Sequence, residues 1–336
     1  MKIKKGVMII SALVLLLFML SGCRDDKTDL SATTPVKTKV NAAVIKGPSG
    51  IGMVNLMELN ASGTADNDYN FTVVSSPDEI VSKISNKEVD LATPPTNLAA
   101  TLYKKTSGKV KMLAASTKGV LYILEDGDTI KSAADLKGKT IYTTGQGANP
   151  EYILKYILTK NGIDPEKDVN IIYKTDNDEL ATLLATGAAS VALVPEPIVT
   201  SVKAKKAELR VALDMTAEWE KASGGKSQLL MGCVIGRTEF IENNPEAVAK
   251  FLAEYETSIS KAKTEIDSTA ALCEKYGIIP KAAVAKAALP RCGLTYIDGN
   301  DMINHIKGYF DVLFAANPDS VGGTLPNDEF YYNPQK

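Results

Sequence analysis

The sequence predicts an α/β protein of two domains built on largely parallel sheets. Three observations carry this expectation. Short apolar strands alternate with helical stretches along most of the chain. Glycine or proline turns follow four of those strands. Roughly 300 residues remain for folding once an apolar leader and a polar stretch at the N-terminus are set aside, enough for two domains.

The first strand is Val40 to Ile45, followed by Gly47-Pro48-Ser49-Gly50-Ile51-Gly52 and a helical stretch to about Ala61. Phe71 to Val74 reads as a second strand, and Pro77-Asp78-Glu79 opens the next helix. Val89 to Ala92 leads through Thr93-Pro94-Pro95 into another helix, and Met112 to Ala115 is again apolar. The pattern restarts after Gly119 with Val120 to Leu124. Thr140 to Thr143 leads through Gly145-Gln146-Gly147-Ala148-Asn149-Pro150 into a helix ending near Asn161. Val169 to Tyr173, a helix from Glu179 to Thr186 and the strand Val191 to Val194 continue the alternation. A polar glycine break, Ser223-Gly224-Gly225-Lys226-Ser227, precedes the strand Leu229 to Ile235. The remainder reads as mainly helical, with Pro245 at a first helical position and helices over 268–275, 281–288 and 301–315.

The N-terminus is an export signal. Lys2, Lys4 and Lys5 precede an apolar run from Val7 to Leu20, too short to span the hydrocarbon of a bilayer, that ends in Leu20-Ser21-Gly22-Cys23. This ending resembles the lipobox of bacterial lipoproteins, which implies cleavage after residue 22 and acylation of Cys23. From Arg24 to Lys39 the composition is polar and has little to bury, so residues 23–39 read as lipid anchor and flexible tether. Removing residues 1–22 leaves 35 basic against 40 acidic side chains, a net charge of −5 with His neutral. That balance, with no basic stripe, excludes a nucleic-acid partner.

Three further cysteines, Cys233, Cys273 and Cys292, allow one internal disulfide at most, either Cys273 with Cys292 or Cys233 with Cys292, and each equally suits a buried thiol. No CxxC and no Cys/His cluster occurs, so neither a metal site nor a cofactor is expected. The single histidine, His305, falls among Met302, Ile306 and Tyr309 and reads as structural.

In open parallel sheets, ligands bind beyond the carboxyl ends of strands, where turns and helix N-termini expose backbone N–H groups. The four turns are Gly47 to Gly52, Thr93 to Asn97, Thr144 to Pro150 and Pro195-Glu196-Pro197. Gly47 to Gly52 matches neither the dinucleotide fingerprint nor a Walker A sequence. Taken in order, Gly47-Pro48-Ser49-Gly50, Asp90-Leu91-Ala92-Thr93-Pro94, Gly145-Gln146-Gly147 with Pro150, and Glu196-Pro197 resemble the periplasmic binding proteins of the nitrate, sulfonate, taurine and thiamine-precursor group, the NMT1/THI5-like family.

The resemblance implies a two-lobed periplasmic-binding-protein-like (type II) fold with two chain crossings at the hinge. Residues 40–118 plus 225–336 would form one lobe and 119–224 the other. Ligand would lie between Ser49, Gly50, Pro94, Thr96 and Asn97 on one side and Gly147, Asn149 and Glu196 on the other. Tyr122 belongs either to the cleft or to the core, and Glu196 either meets ligand or charges the start of its own helix. The implied function is an extracytoplasmic, membrane-anchored, monomeric solute-binding lipoprotein that works with an ABC transporter permease. The alternatives are an enzyme of thiamine-pyrimidine-synthase-like fold and a surface sensor. The enzyme would need a histidine in the cleft, and His305 lies far from the turns. None of Arg24, Arg210, Arg237 and Arg291 falls within the four turns, which weighs against a strongly anionic ligand and leaves amino-sulfonate, pyrimidine and other heteroaromatic compounds open.

Overall fold

The computed structural model describes residues 37–333, so the leader, Cys23 and most of the tether lie outside the described residues. The described chain begins with β1 (Lys39–Ile45), α1 (Pro48–Ile51), α2 (Val54–Ala61), β2 (Asp68–Val74), α3 (Pro77–Ser85), β3 (Leu91–Ala92), α4 (Thr96–Lys105) and β4 (Val110–Lys118). It continues with β5 (Leu121–Glu125), β6 (Thr140–Thr143), α5 (Asn149–Lys160), β7 (Asn170–Tyr173), α6 (Asn177–Thr186), β8 (Val191–Pro195), α7 (Ile198–Lys203), β9 (Arg210–Asp214) and α8 (Met215–Ala222). The last part holds β10 (Leu230–Arg237), α9 (Thr238–Asn243), α10 (Pro245–Thr264), α11 (Ile266–Lys275), α12 (Ala282–Ala288), β11 (Leu294–Asp298) and α13 (Gly299–Ala316).

These strands form two sheets, ordered β11-β4-β10-β3-β1-β2 and β7-β6-β8-β5-β9. β1 runs parallel to β2 and β3, and β6 runs parallel to β7 and β8, as the βα alternation requires. The reversed strands are instructive. β5 pairs antiparallel with β8 and β9, and β10 pairs antiparallel with β3 and β4. Each is the first strand after the chain passes from one sheet to the other. Strand β11, which pairs antiparallel with β4, falls between the helices expected over 281–288 and 301–315, where no strand was expected. All of its residues are only half buried, so it carries no alternation of apolar and polar positions to read.

The two passages of the chain touch. A Cβ on Gly119, between β4 and β5, would stand 2.4 Å from Thr216 Oγ1 and 2.7 Å from Leu229 Cδ2, on either side of the second passage. The second passage is anchored by the fully buried Trp219, whose Nε1 donates to Ser227 Oγ at 2.9 Å. The indole lies 4.5 Å from the ring of Tyr156 on α5 and 5.5 Å, edge on, from that of Tyr309 on α13. Helix α13 therefore packs both on β4, β10 and β11 of the six-stranded sheet and against α5 and Trp219 beside the other sheet. One apolar cluster runs from Ala43 and Met112 through Ile123 and Leu193 to Trp219 and Tyr309, joining both sheets.

The three described cysteines are all free and buried, so neither expected pairing forms. Among the described residues, no helix is long and apolar enough to cross a membrane.

Because Gly119 leaves no room for a methyl group, Gly119→Ala is expected to cost about 1–3 kcal/mol of stability. The loss should appear as a lower urea midpoint at unchanged slope. A wild-type midpoint would mean that the two passages can part freely.

Candidate functional site

Two helices start at the same place from different sheets. Helix α4 follows β3 through Thr93-Pro94-Pro95, and α5 follows β6 through a turn in which Gly145 and Gly147 take φ values of +77° and +72°, open to glycine at little cost. Their first turns face a cavity of about 330 Å³. Its polar lining is Ser49, Asn97, Thr117 and Asn149; Pro48, Pro95, Val120, Ala148, Pro150 and Met231 supply the apolar part. None of these side chains is charged. The field in the cavity comes instead from the helix ends, whose first amides lack intrahelical acceptors and carry partial positive charge.

Asn149 Nδ2 donates to Asn97 Oδ1 at 3.0 Å, a bond that links the first turns of α5 and α4 and so bridges the two sheets. Asn149 Oδ1 and Thr117 Oγ1 are buried and have no hydrogen-bond partner. A Cβ on Gly232 would stand 2.5 Å from Ser49 Oγ and 2.8 Å from Thr117 Oγ1, so both hydroxyls depend on the bare glycine for their places.

Of the residues expected from sequence, Ser49, Asn97 and Asn149 therefore meet at the cavity. Gly50 sits behind it, where a Cβ would lie 2.0 Å from the Ile45 carbonyl oxygen, so glycine is required for α1 to pack on β1. The Pro94 carbonyl accepts from Cys233 N at 3.1 Å, tying the turn to β10. Thr96 is fully buried and donates to the Leu230 carbonyl at 2.7 Å, pinning α4 to the same strand. Gly147 N donates to Glu151 Oε2 at 2.6 Å, and its carbonyl accepts from Tyr152 Oη at 2.6 Å. Tyr122 belongs to an apolar cluster of the second sheet and donates to the Arg291 carbonyl at 2.8 Å; burial pushes its pKa up.

Glu196 is absent from the cavity lining. Its side chain is 0% exposed and accepts from Arg291 Nε, from Thr200 N at 3.1 Å and from Thr200 Oγ1 at 3.1 Å. Thr200 lies in the first turn of α7, so Glu196 caps that helix and binds an arginine that lies just before β11 of the six-stranded sheet. Thr117 and Met231, on β4 and β10, escaped the sequence reading. The available signal was the hydroxyl pair Ser116-Thr117 directly after the apolar run Met112 to Ala115. Among the described residues, no group of three or more His, Cys, Asp or Glu side chains is placed to hold a metal ion.

A family model described as NMT1/THI5 like matches residues 75–265, more than half of the chain. The structure of an ABC transporter from Parabacteroides distasonis superposes with a TM-score of 0.75 at 23% identity, covering 89% of this chain and 100% of that one. The periplasmic aliphatic sulphonate binding protein SsuA from Escherichia coli gives a TM-score of 0.68 at 15% identity, over 88% of this chain and 92% of its own. At these identities the likeness is one of fold, and it is two-lobed. A curated relative from Bacillus subtilis (strain 168), YtlA, is 36% identical over 62 residues, which span 18% of this chain and only 19% of that relative.

Arg291→Met would leave the buried Glu196 carboxylate with only its two Thr200 hydrogen bonds, a change expected to cost about 1–3 kcal/mol, since the arginine itself is 31% exposed. Adding Glu196→Gln to that variant should recover part of the loss. If Arg291→Met unfolds in urea at the wild-type midpoint, the pair is not dry in solution and Glu196 is free for another role.

Proposed function

The chain belongs to the NMT1/THI5-like family, and on that premise we propose that it is an extracytoplasmic solute-binding lipoprotein that captures a small organic molecule between its lobes for an ABC importer. The observation that carries the reading is the Asn97–Asn149 hydrogen bond across a cavity in which two buried atoms, Asn149 Oδ1 and Thr117 Oγ1, have no partner. Hinge closure over a ligand is how two-lobed binding proteins respond, and a bond of this kind is what closure would make. Ser49, Asn97 and Asn149 are the proposed ligand contacts. Residues 40–118 plus 225–336 and residues 119–224 are the proposed moving bodies.

Among the described residues, those that line the cavity are Ser, Asn, Thr, Pro, Val, Ala and Met, side chains suited to holding a ligand by hydrogen bonds and apolar contact. The similar solved structures include a sulphonate-binding protein and a protein named as an ABC transporter, which supports the transport role over an enzymatic one. Anchoring rests on Leu20-Ser21-Gly22-Cys23 and the polar stretch after it. Acylation with two or more chains would hold the protein stably at the outer face of the membrane.

Two measurements check this reading. Cys23→Ala should still be exported but should move from the detergent phase to the aqueous phase on partitioning; retention in detergent would place the anchor elsewhere. Thermal-shift screening of small organic metabolites, followed by titration calorimetry, should find a ligand whose affinity falls roughly 5- to 150-fold in Asn97→Ala and in Asn149→Ala. Wild-type affinity in both variants would remove the ligand from this cavity.

A further inference from the structure

The cavity is built for hydrogen bonds without charge. Among the described residues, Ser49, Asn97, Thr117 and Asn149 are its polar side chains, and each can both donate and accept. A site made for a fixed anion gains from an arginine or lysine, and no described residue of either kind lines this cavity.

Two atoms point to the ligand more closely. Asn149 is 9% exposed and Thr117 is 1% exposed, yet Asn149 Oδ1 and Thr117 Oγ1 have no partner within the protein. Buried polar atoms are nearly always hydrogen-bonded. Asn149 Nδ2 is already committed to Asn97, so the amide is held with its oxygen as the unpaired atom, and that oxygen can only accept. The group that satisfies it must carry an N–H or O–H. The amide ends of α4 and α5 and the Thr117 hydroxyl favour the opposite kind of group, a carbonyl-like oxygen.

Resting on the cleft as the ligand site, we infer that the ligand is an uncharged molecule with adjacent donor and acceptor groups, of the amide, ureide or lactam class, rather than an oxyanion. Asn149 Oδ1 takes the donor and the Thr117 hydroxyl takes the acceptor. Gly232 is a positioning residue, because any side chain there would collide with the Ser49 and Thr117 hydroxyls.

The test is titration calorimetry on the full-length chain in detergent, with uracil, nicotinamide and allantoin as uncharged probes and nitrate and ethanesulfonate as anions. At least one uncharged probe is expected to bind, with an affinity insensitive to salt. Thr117→Val should weaken it about 5- to 150-fold while leaving the melting temperature of the ligand-free protein unchanged or raised, since the hydroxyl has no partner in the protein. A purely structural threonine would not separate the two readouts. Asn149→Asp puts a negative charge into the cavity and would expel an anion, so it is the variant for the nitrate and ethanesulfonate arm.

Binding of nitrate or ethanesulfonate that Asn149→Asp abolishes would overturn the ligand class and leave the cleft as the site. A probe that binds wild type and Thr117→Val equally would overturn both. Silence from all three uncharged probes would also overturn the inference.

Discussion

The close passage of the chain past itself at Gly119 sets the geometry of everything else. The backbone leaves the six-stranded sheet at Lys118 and returns to it at Leu230, and the two passages meet where residue 119 has no side chain. Neighbouring bonds fix the junction further. Lys118 N donates to the Gly293 carbonyl at 2.7 Å, and Glu196 N donates to the Val120 carbonyl at 2.9 Å. Gly308 on α13 comes so close to the second passage that a Cβ would lie 2.6 Å from Ser227 Cβ. Strands of opposite sheets are thus held at a set separation, and the cavity is the space that separation leaves. The Glu196–Arg291 pair, buried on the glutamate side, acts within the same junction.

An uncharged cavity between helix ends has a physical logic. Pro48 is the first residue of α1, Pro150 the second of α5, and Pro95 caps α4. Proline fixes its own φ and brings no N–H, so it stiffens the rim without adding a donor that would need a partner. A rim that is already ordered loses little entropy when a ligand arrives. The polar groups that remain are few, which raises the weight of each. In such a site an unmatched hydrogen bond discriminates between ligands more sharply than an unmatched methylene does.

Much of the fold was legible because the βα alternation is local: each strand, turn and helix announces itself within about a dozen residues. Ser49, Asn97 and Asn149 were found for the same reason, since each sits at a strand-to-helix turn. Thr117 and Met231 could not be found that way. They reach the cavity from β4 and β10, whose antiparallel pairing joins segments more than a hundred residues apart. Glu196 misled in the opposite direction. Its turn looks like the other three, and only the approach of Arg291, 95 residues away, turns it from a candidate contact into part of the junction. The half-buried β11 went unread because its burial has no period.

The distribution of sulfur in the molecule gives it a chemical clock of its own. Cys233, Cys273 and Cys292 are all free and buried among the elements around the six-stranded sheet, and residues 119–224 contain no cysteine. Burial pushes each thiol up, Cys273 to about 12, so the reactive thiolate is scarce at neutral pH and reagents must wait for the surrounding packing to open. Cys292 stands beside Arg291 in the junction, whereas Cys273, on α11, is buried in an apolar cluster away from it. The alkylation rate of Cys273 therefore reads the loosening of its own half of the protein, and that of Cys292 reads the junction as well, without any probe being engineered in.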